Sequence, residues 1–366
     1  MLKIFLSVIL FSCLIPAQEL PTPSIEFSPR KYICYRTAEP ITIDGKLNEP
    51  TWEKAEWTDY FVDIQGSVKP APRFNTRAKM LWDENYLYIA AELQEPDIWA
   101  TIKDRDSVIF RDNDFEVFID PAGNSHNYSE FEMNALNTVW DLLLEKPYRD
   151  TKNAALNNWD IHGLKTAVLI DGTINNPEDK DKKWTVELAF PWSAFKEIAD
   201  VNAPPKNNDQ WRINFSRVEW NIEVLNGKYK KRINPETGNP YPEDNWVWSP
   251  QGVIDMHYPE MWGFLQFSTE IVGGKKANFI IRKEEAAKYY LRQIYYGERS
   301  YFYKYGKFTA DINKLGIKLQ SVPGYKKQPV IEFTTDLYEA SIFSEDGSEK
   351  ISIRNDGLTW ITQLKK

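Results

Sequence analysis

The chain contains few of the residues that build metal centres and nucleophilic active sites. Its 366 residues include 2 cysteines and 3 histidines. The histidines, His126, His162 and His257, do not have the spacing of zinc ligands, and none lies in a serine-hydrolase or zinc-protease motif. The sequence therefore gives no support to zinc or serine-hydrolase chemistry.

Long apolar runs are also absent. The run from Ile4 to Ile15 is far shorter than the roughly 18 residues that cross a bilayer, so no transmembrane segment is expected. With Lys3 before it and Ala17 after it, this run predicts a signal peptide over residues 1–17 and export to the periplasm, the cell surface or the medium. Lipid attachment at Cys13 is the alternative. Cleavage after Ala17 leaves Cys34 as the remaining cysteine, so no internal disulfide is expected.

The charge is distributed unevenly along the chain, which favours two structural units. Residues 275–366 carry 17 basic and 11 acidic side chains, whereas the preceding residues carry 28 basic and 42 acidic ones. The acidic body repels phosphate groups, so we expect no nucleic-acid partner.

The middle of the chain consists of short segments in which apolar and polar residues alternate, separated by turn residues. Because no strand–helix alternation appears, we predict a mainly β protein, an antiparallel β-sandwich of immunoglobulin-like or jelly-roll-like type over residues 36–269, after a linker over 18–35. Residues 275–366 are predicted to form a small α+β domain, with a helix within Arg282–Tyr305 packed on an antiparallel sheet. Predicted strands of the sandwich are Lys79–Asp83, Tyr86–Leu93, Phe115–Asp120, Glu130–Ala135, Val139–Glu145, Leu164–Asp171, Trp184–Pro191, Trp211–Glu219 and Met261–Phe267.

Several short motifs in this region together resemble the carbohydrate-binding module family 9-like proteins. The motifs are Ile41–Gly45, Trp82–Ile89, Arg111–Asp120, Glu130–Glu132, Trp140-Asp141, Trp184–Glu187, Phe190–Trp192 and Trp211–Arg217. The resemblance covers about residues 36–269 and implies a β-sandwich that holds sugar ends between two tryptophans, in some members with structural calcium. A weaker resemblance, in Glu284–Ala287 and Tyr305–Phe308, links the C-terminal unit to pilin-like globular domains.

A sugar-binding site needs aromatic faces for the C–H side of a pyranose and fixed polar groups for its hydroxyls. We expect Trp99 and Trp248 to form the aromatic clamp, and Asn245, three residues before Trp248, matches the family's pairing of an amide with the second ring. Arg111 and Arg217 offer planar guanidinium groups for adjacent hydroxyls. For each ring the alternative is core packing, and for each arginine it is an ordinary ion pair.

Clustered acidic residues raise two further hypotheses. Asp112 and Asp114 supply oxygen ligands for a structural calcium, with an Asx-stabilised turn as the alternative. Glu130 and Glu132 share one face of a strand, about 6.6 Å apart by strand rise, which overlaps the carboxylate separation of inverting glycosidases. Glycosidase carboxylates, however, lie on opposite sides of the glycosidic bond, whereas two residues on one face of a strand lie on the same side of any ligand.

The sequence thus predicts an exported, non-catalytic protein that binds an oligosaccharide or polysaccharide, serves carbohydrate catabolism beside O-glycosyl hydrolases and requires no cofactor. The alternatives are a glycoside hydrolase that uses Glu130 or Glu132, and a structural or adhesion protein that binds a protein partner through exposed aromatic residues.

Overall fold

The structure is a computed structural model that describes residues 20–151 and 153–365. The predicted signal peptide over 1–17 and Cys13 lie outside these residues. Within the described part of the chain, no helix is both long and apolar enough to cross a membrane.

One large sheet contains thirteen of the strands in the described residues. They are β1 (Lys31–Arg36), β2 (Val62–Asp63), β3 (Thr76–Trp82), β4 (Tyr86–Gln94), β5 (Asp114–Asp120), β6 (Tyr128–Asn134), β7 (Val139–Leu144), β8 (Ala155–Leu156), β9 (Lys165–Asp171), β10 (Lys183–Pro191), β11 (Gln210–Glu219), β14 (Asp244–Val247) and β15 (Gly263–Ile271). Two short helices, α1 (Pro50–Lys54) and α2 (Trp192–Ile198), pack beside it, and a separate hairpin pairs β12 (Ile222–Leu225) with β13 (Lys228–Lys231).

The large sheet folds over itself into the two layers of the predicted sandwich. Its strand order is β8-β7-β6-β5-β11-β15-β1-β3-β4-β10-β9, and β14 pairs with β11 and β2. Neighbouring strands are antiparallel except that β1 runs parallel to both β15 and β3. The prediction of a mainly β sandwich is confirmed, and β1 joins its two layers into one mixed sheet.

Residues 31–35 of strand β1 lie inside the segment 18–35 that the sequence predicted to be a linker. Tyr32 and Cys34 are buried in the core between the layers, because alternate residues of this short strand are apolar. Before it, the hydroxyl and the backbone N–H of Ser24 both donate to the carbonyl of Gly252. The linker prediction is therefore corrected: the described residues from 20 onward are part of the folded body.

The main core lies between the two layers and is formed by every second residue of each strand. From one layer it receives Phe115, Val117 and Phe131, and from the other Ile89 and Phe190. The rings of Phe131 and Phe190 meet edge to face across the core with centroids 5.6 Å apart. The residues between these positions therefore point to the outer face of each layer.

The outer face of the layer that contains β5, β6, β7 and β11 is partly covered by its own small apolar cluster. Phe118, Tyr128, Leu142, Val247 and Trp262 are among its buried members. The segment that supplies Trp262 passes over this face between β14 and β15. The polar residues that lie beside this cluster are described in the next subsection.

The C-terminal unit consists of α3 (Lys283–Tyr305) and a four-stranded antiparallel sheet. Its strands are β16 (Val330–Phe333), β17 (Tyr338–Phe343), β18 (Glu349–Arg354) and β19 (Thr359–Gln363). Apolar residues of α3 and the sheet share one core with Tyr258 and Met261 of the sandwich. The predicted helix on an antiparallel sheet is confirmed, and this unit packs directly against the sandwich.

A buried network of hydrogen bonds and ion pairs around Glu260 holds the two units together. Arg149 of the sandwich donates to both carboxylate oxygens of Glu260 at 2.9 Å, and the hydroxyl of Tyr296 in α3 donates to Glu260 at 2.5 Å. Burial disfavours the charge of Glu260, but Arg149 and Arg292 outweigh it and lower its pKa to about 2. Glu260 therefore stays ionised at neutral pH and links the units through charged hydrogen bonds.

Candidate functional site

Strand register brings acidic residues together on the outer face of β5 and β6. Glu116 of β5 lies directly opposite Glu132 of β6 and Ser216 of β11. Asp114 and Glu130 point to the same side, because each is two residues from a member of this row. We call the group of Asp114, Glu116, Glu130 and Glu132 the carboxylate face.

All four carboxylates are buried, and Glu116 and Glu130 keep only 5% and 6% of their exposure. Within the described residues, no lysine, arginine or histidine forms an ion pair with any of the four. Asp114 accepts a hydrogen bond from the backbone N–H of Val218 through Oδ1, but its Oδ2 has no partner, and neither has Oε2 of Glu130. Burying carboxylate oxygens without hydrogen-bond partners lowers the stability of the fold. The group therefore indicates a functional role rather than a stabilising one.

Burial is the largest influence on the protonation of these groups, and their mutual repulsion adds to it. Burial raises the pKa of Glu116 to about 7 and, together with the charge of Glu116, raises that of Glu130 to about 8. The pKa values of Asp114 and Glu132 are also raised, first by burial and then by neighbouring carboxylates. Such perturbed groups on one surface mark a candidate functional site.

Aromatic side chains border the carboxylate face. Phe110 and Tyr148 are 37% and 41% exposed, and the backbone N–H of Phe110 donates to Oε2 of Glu132 at 3.1 Å. Trp140 of β7 lies directly opposite Glu132 in the sheet. Trp140 is partly buried and Glu132 is buried. Trp220 donates its indole N–H to the carbonyl of Phe110, and the ammonium of Lys231 lies 3.2 Å from its ring centroid. We call these four rings, Phe110, Trp140, Tyr148 and Trp220, the aromatic border.

A buried histidine supports one side of this border. The ring of His257 contacts that of Tyr148 edge to face, with centroids 4.6 Å apart, and its Nδ1 shares a hydrogen bond of 2.9 Å with the hydroxyl of Tyr128. Burial lowers the pKa of His257 to about 4, so the ring is neutral at neutral pH. It therefore positions Tyr148 and supplies no charge to the carboxylates.

Two of the predicted sugar-binding residues lie near this site. Arg111 follows Phe110 directly and is exposed, and its guanidinium forms no hydrogen bond or ion pair with other described residues. Asn245 of β14 pairs with Val218 of β11, the residue whose backbone N–H contacts Asp114. Both residues keep their predicted role as proposed ligand contacts.

Arg217 lies elsewhere, and its predicted sugar contact requires correction. It occupies the inner face of β11, as do Trp211, Ile213 and Phe215, and is completely buried. Its guanidinium donates to Glu95 at 2.5 Å, to Glu219 at 2.8 Å and to the carbonyl of Gln94 at 2.8 Å. These partners occupy the guanidinium, so it is not accessible to a ligand.

The predicted clamp of Trp99 and Trp248 is not formed. Trp248 is 1% exposed and packs in the main core, with its ring centroid 5.9 Å from that of Phe215. Trp99 is also buried, in the loop after β4. A ring without an exposed face cannot stack on a sugar, so the aromatic border replaces this pair as the candidate platform.

The acidic residues proposed as calcium ligands have different environments. Asp112 accepts hydrogen bonds from the backbone N–H groups of Thr101 and Ile102, from the Thr101 hydroxyl and from the amide of Asn134. These bonds fix the loop before β5 and give each carboxylate oxygen at least one partner. Asp114, in contrast, belongs to the carboxylate face.

Glu130 and Glu132, the weak catalytic alternative, lie on one face of β6 as predicted. Sequence reasoning missed Glu116, Phe110, Tyr148 and Trp220 as site residues. The signal for Glu116 is present in the alternation of residues 114–120, which places it on the same face as Asp114. The three rings lie in or beside loops and carry no such signal.

Comparison with known proteins finds a family match within the sandwich. The family model described as carbohydrate family 9 binding domain-like matches residues 43–222, which include β5, β6, β7 and β11. Endo-1,4-beta-xylanase C of Paenibacillus barcinonensis is 32% identical over 89 residues, which are 24% of this chain and 7% of that protein. The chain thus matches only a small part of this curated relative.

Two solved structures from one organism are also similar to this chain. A carbohydrate binding module family 9 from Caldicellulosiruptor kristjanssonii in complex with cellotriose has a TM-score of 0.42 and 14% identity, covering 69% of this chain and 98% of that one. A carbohydrate binding module family 9 from Caldicellulosiruptor kristjanssonii in complex with glucose has a TM-score of 0.41 and 15% identity, covering 68% of this chain and 98% of that one.

Proposed function

Because residues 43–222 belong to the carbohydrate family 9 binding domain-like family, we propose that this protein binds a carbohydrate on the carboxylate face without breaking a glycosidic bond. The observation that carries the proposal is the combination of four buried carboxylates without a cationic partner and four aromatic rings beside them. A sugar complements both features, since its hydroxyls donate hydrogen bonds and its C–H face packs on a ring.

The polar groups fit the hydroxyl pattern of a pyranose. Oxygens of these carboxyl groups accept hydrogen bonds from hydroxyls, and such bonds are about twice as strong as neutral ones when the group is ionised. Arg111 and Asn245 add donors near the same surface, and Arg111 has no competing partner among the described residues. Phe110 and Tyr148 offer ring faces that are more than one third exposed.

We propose that the ligand is an oligosaccharide or polysaccharide and that the protein takes part in its use. The support is the 89-residue similarity to a protein named endo-1,4-beta-xylanase C. The matched part is a small fraction of that enzyme, so the similarity supports a role beside polysaccharide cleavage and assigns no cleavage to this chain.

The arrangement of Glu130 and Glu132 favours binding over hydrolysis. Both carboxylates project from the same face of one strand, so both would lie on the same side of a bound glycosidic bond. Glycosidases place their acid and their base or nucleophile on opposite sides of the bond.

Isothermal titration of the full chain with a panel of neutral oligosaccharides tests the proposal. We expect weak one-to-one binding that Tyr148→Ala reduces roughly fivefold, because a stacked ring contributes about 1 kcal/mol. Tyr303→Ala is the matched control, since Tyr303 is 45% exposed on α3, far from β5 and β6 in the sequence and in a different unit.

Unchanged affinity in Tyr148→Ala would contradict the placement of the sugar, and no heat with any member of a broad panel would contradict carbohydrate binding. Chromatography of the same mixtures measures turnover. If the protein releases shorter oligosaccharides and the Glu130→Gln variant does not, the protein is a glycoside hydrolase instead.

We also propose that the protein is exported, on the strength of the residues before position 18. Expression of the full chain in a bacterial host should place it outside the cytoplasm, whereas a chain without residues 1–17 should stay in the cytoplasm. Equal cytoplasmic amounts of both forms in a fractionation experiment would refute export.

A further inference from the structure

A pocket of about 170 Å³ lies where the segment before β1, the start of β15 and the start of α3 meet. Its apolar walls include the rings of Phe27, Phe264 and Phe279 and the side chain of Ile281. The ring of Tyr289 stacks on that of Phe27, with centroids 4.0 Å apart. Because an apolar cavity of about 150 Å³ takes up benzene, this pocket suits a single ring or a short branched chain.

Hydrogen bonds hold one wall of this pocket in place. Nε2 of Gln266 donates to the carbonyl of Asn278 at 2.9 Å, and the backbone N–H of Ile280 donates to Oε1 of Gln266 at 2.7 Å. Phe279 lies between these two anchored residues, and its ring meets that of Phe264 edge to face at 6.3 Å. The pocket is therefore formed before a ligand arrives, which lowers the cost of binding.

Two exposed cationic side chains, Lys31 and Arg282, line the pocket beside its apolar walls. The ammonium of Lys31 lies 5.6 Å from the ring centroid of Phe279, and the guanidinium of Arg282 donates to the carbonyl of Asn208 at 2.8 Å. Within the described part of the chain, neither side chain forms an ion pair. Their positive charges are therefore available to a ligand from solution.

The acidic residue of the pocket, Glu285, is paired with other cations. Its Oε2 accepts from Arg212 at 2.7 Å and its Oε1 accepts from Lys288 at 2.8 Å. Burial disfavours the charge of Glu285, but Lys288 and Arg212 outweigh it and lower its pKa to about 2. Glu285 thus compensates those two cations, and Lys31 and Arg282 keep their own charge.

The apolar side of the pocket is also incompletely covered. Ile281 is 78% exposed, and its neighbour Ile280 is 42% exposed. Full burial of an isoleucine side chain contributes about 1.5–3 kcal/mol, so the fold leaves most of this contribution unused. A ligand that enters the pocket covers part of Ile281.

We propose that this pocket binds a small carboxylate whose apolar part is a single ring or a short branched chain. The apolar part lies among Phe27, Phe264 and Phe279, and the carboxylate is directed to Arg282 and Lys31. A guanidinium binds a carboxylate through two parallel hydrogen bonds, which a neutral molecule of the same shape does not form. A sugar fits these walls poorly, because several of its hydroxyls would be buried against apolar rings.

This inference stands apart from the proposed sugar binding and is tested without sugar. The probes are benzoate and benzyl alcohol, which share the ring and differ in charge. Ligand-detected nuclear magnetic resonance follows the titration of the full chain with each probe. We expect benzoate to bind with a dissociation constant of about 1 mM, the range typical of so small a ligand, and benzyl alcohol to bind at least fivefold more weakly.

Two variants separate the apolar contact from the charge. Phe279→Ala removes a wall and should weaken both probes at least fivefold. Arg282→Gln removes a cation, so it should weaken benzoate about fivefold and leave benzyl alcohol unchanged. Lys275→Gln is the matched control, because it removes an exposed positive charge from the same connecting segment outside the pocket. It should leave the affinity for both probes unchanged.

Ile281→Glu tests the same site without disturbing the core. Because Ile281 is mostly exposed, the midpoint of thermal unfolding should stay unchanged. The introduced carboxylate competes for Arg282 and repels an anionic ligand, so benzoate affinity should fall at least fivefold. This variant decides the question if Phe279→Ala does not fold.

Equal affinity for benzoate and benzyl alcohol would overturn the proposed class of ligand, and no binding of either probe would overturn the site. Full benzoate affinity in Ile281→Glu and Arg282→Gln would also overturn it. So would an equal loss in Lys275→Gln, because the effect would then depend on net charge. Benzoate binding by a chain that binds no oligosaccharide supports the pocket and contradicts the proposed function. Sugar binding by a chain that ignores benzoate does the reverse.

Discussion

Arg217→Ala is expected to lower the free energy of unfolding by about 3–5 kcal/mol and to leave sugar affinity unchanged in the molecules that remain folded. The substitution removes the guanidinium that pairs with Glu95 and Glu219, both of which are buried. Two carboxylates then stay in the core without their shared cation. Urea denaturation followed by far-UV circular dichroism measures the loss.

Arg111→Ala is the matched comparison, because Arg111 is exposed and unpaired among the described residues. We expect it to change stability by less than about 0.5 kcal/mol and to weaken sugar binding. A stable Arg217→Ala variant that fails to bind sugar would mean that Arg217 contacts the ligand and that its buried network is not the native arrangement.

The position of Arg217 illustrates how far alternation along a strand can be used. In residues 211–217 the apolar side chains Trp211, Ile213 and Phe215 alternate with polar ones, and Arg217 continues the apolar series. The pattern itself places Arg217 on the inner face. What the pattern does not contain is Glu95, a partner 122 residues away that makes the burial of this charge tolerable.

The same reasoning separates the predictable part of the site from the rest. Alternation correctly placed Glu130 and Glu132 on one face and predicted the limits of β10 to within one residue. Helix propensity and spacing of three or four residues did the same for α3. The pairing of Glu116 with Glu132 depends on the register between β5 and β6. Register arises from packing of the folded sheet, so the sequence alone did not reveal that four carboxylates meet.

Aromatic residues were the hardest to assign, because large rings serve both cores and sugar platforms. Trp246 and Trp248 are two residues apart and therefore share a face, which is the inner one. Phe110 and Trp220 lie outside regular strands, and their proximity depends on a hydrogen bond from the Trp220 indole to the Phe110 carbonyl. Residue type thus identified aromatic candidates, and only the fold distinguishes platforms from core.

The second large effect on stability is expected for Trp248→Ala. This indole is 1% exposed and fills space against Gly263 of β15, where an added Cβ would lie 2.3 Å from the Trp248 ring. Truncation leaves a cavity of indole size in the main core, so we expect a loss of about 3–5 kcal/mol in the free energy of unfolding, measured by urea denaturation.

Trp220→Ala distinguishes this structural role from a binding role. Trp220 is only partly buried at the aromatic border, so its loss should cost less than about 1 kcal/mol of stability while it weakens sugar binding. Trp248→Ala should show the opposite pattern when titrated below its unfolding temperature. If folded Trp248→Ala loses the sugar and Trp220→Ala keeps it, the ligand lies at the buried indole and the carboxylate face is not the sugar site. Because the two variants remove the same indole, the difference between them depends on its position alone.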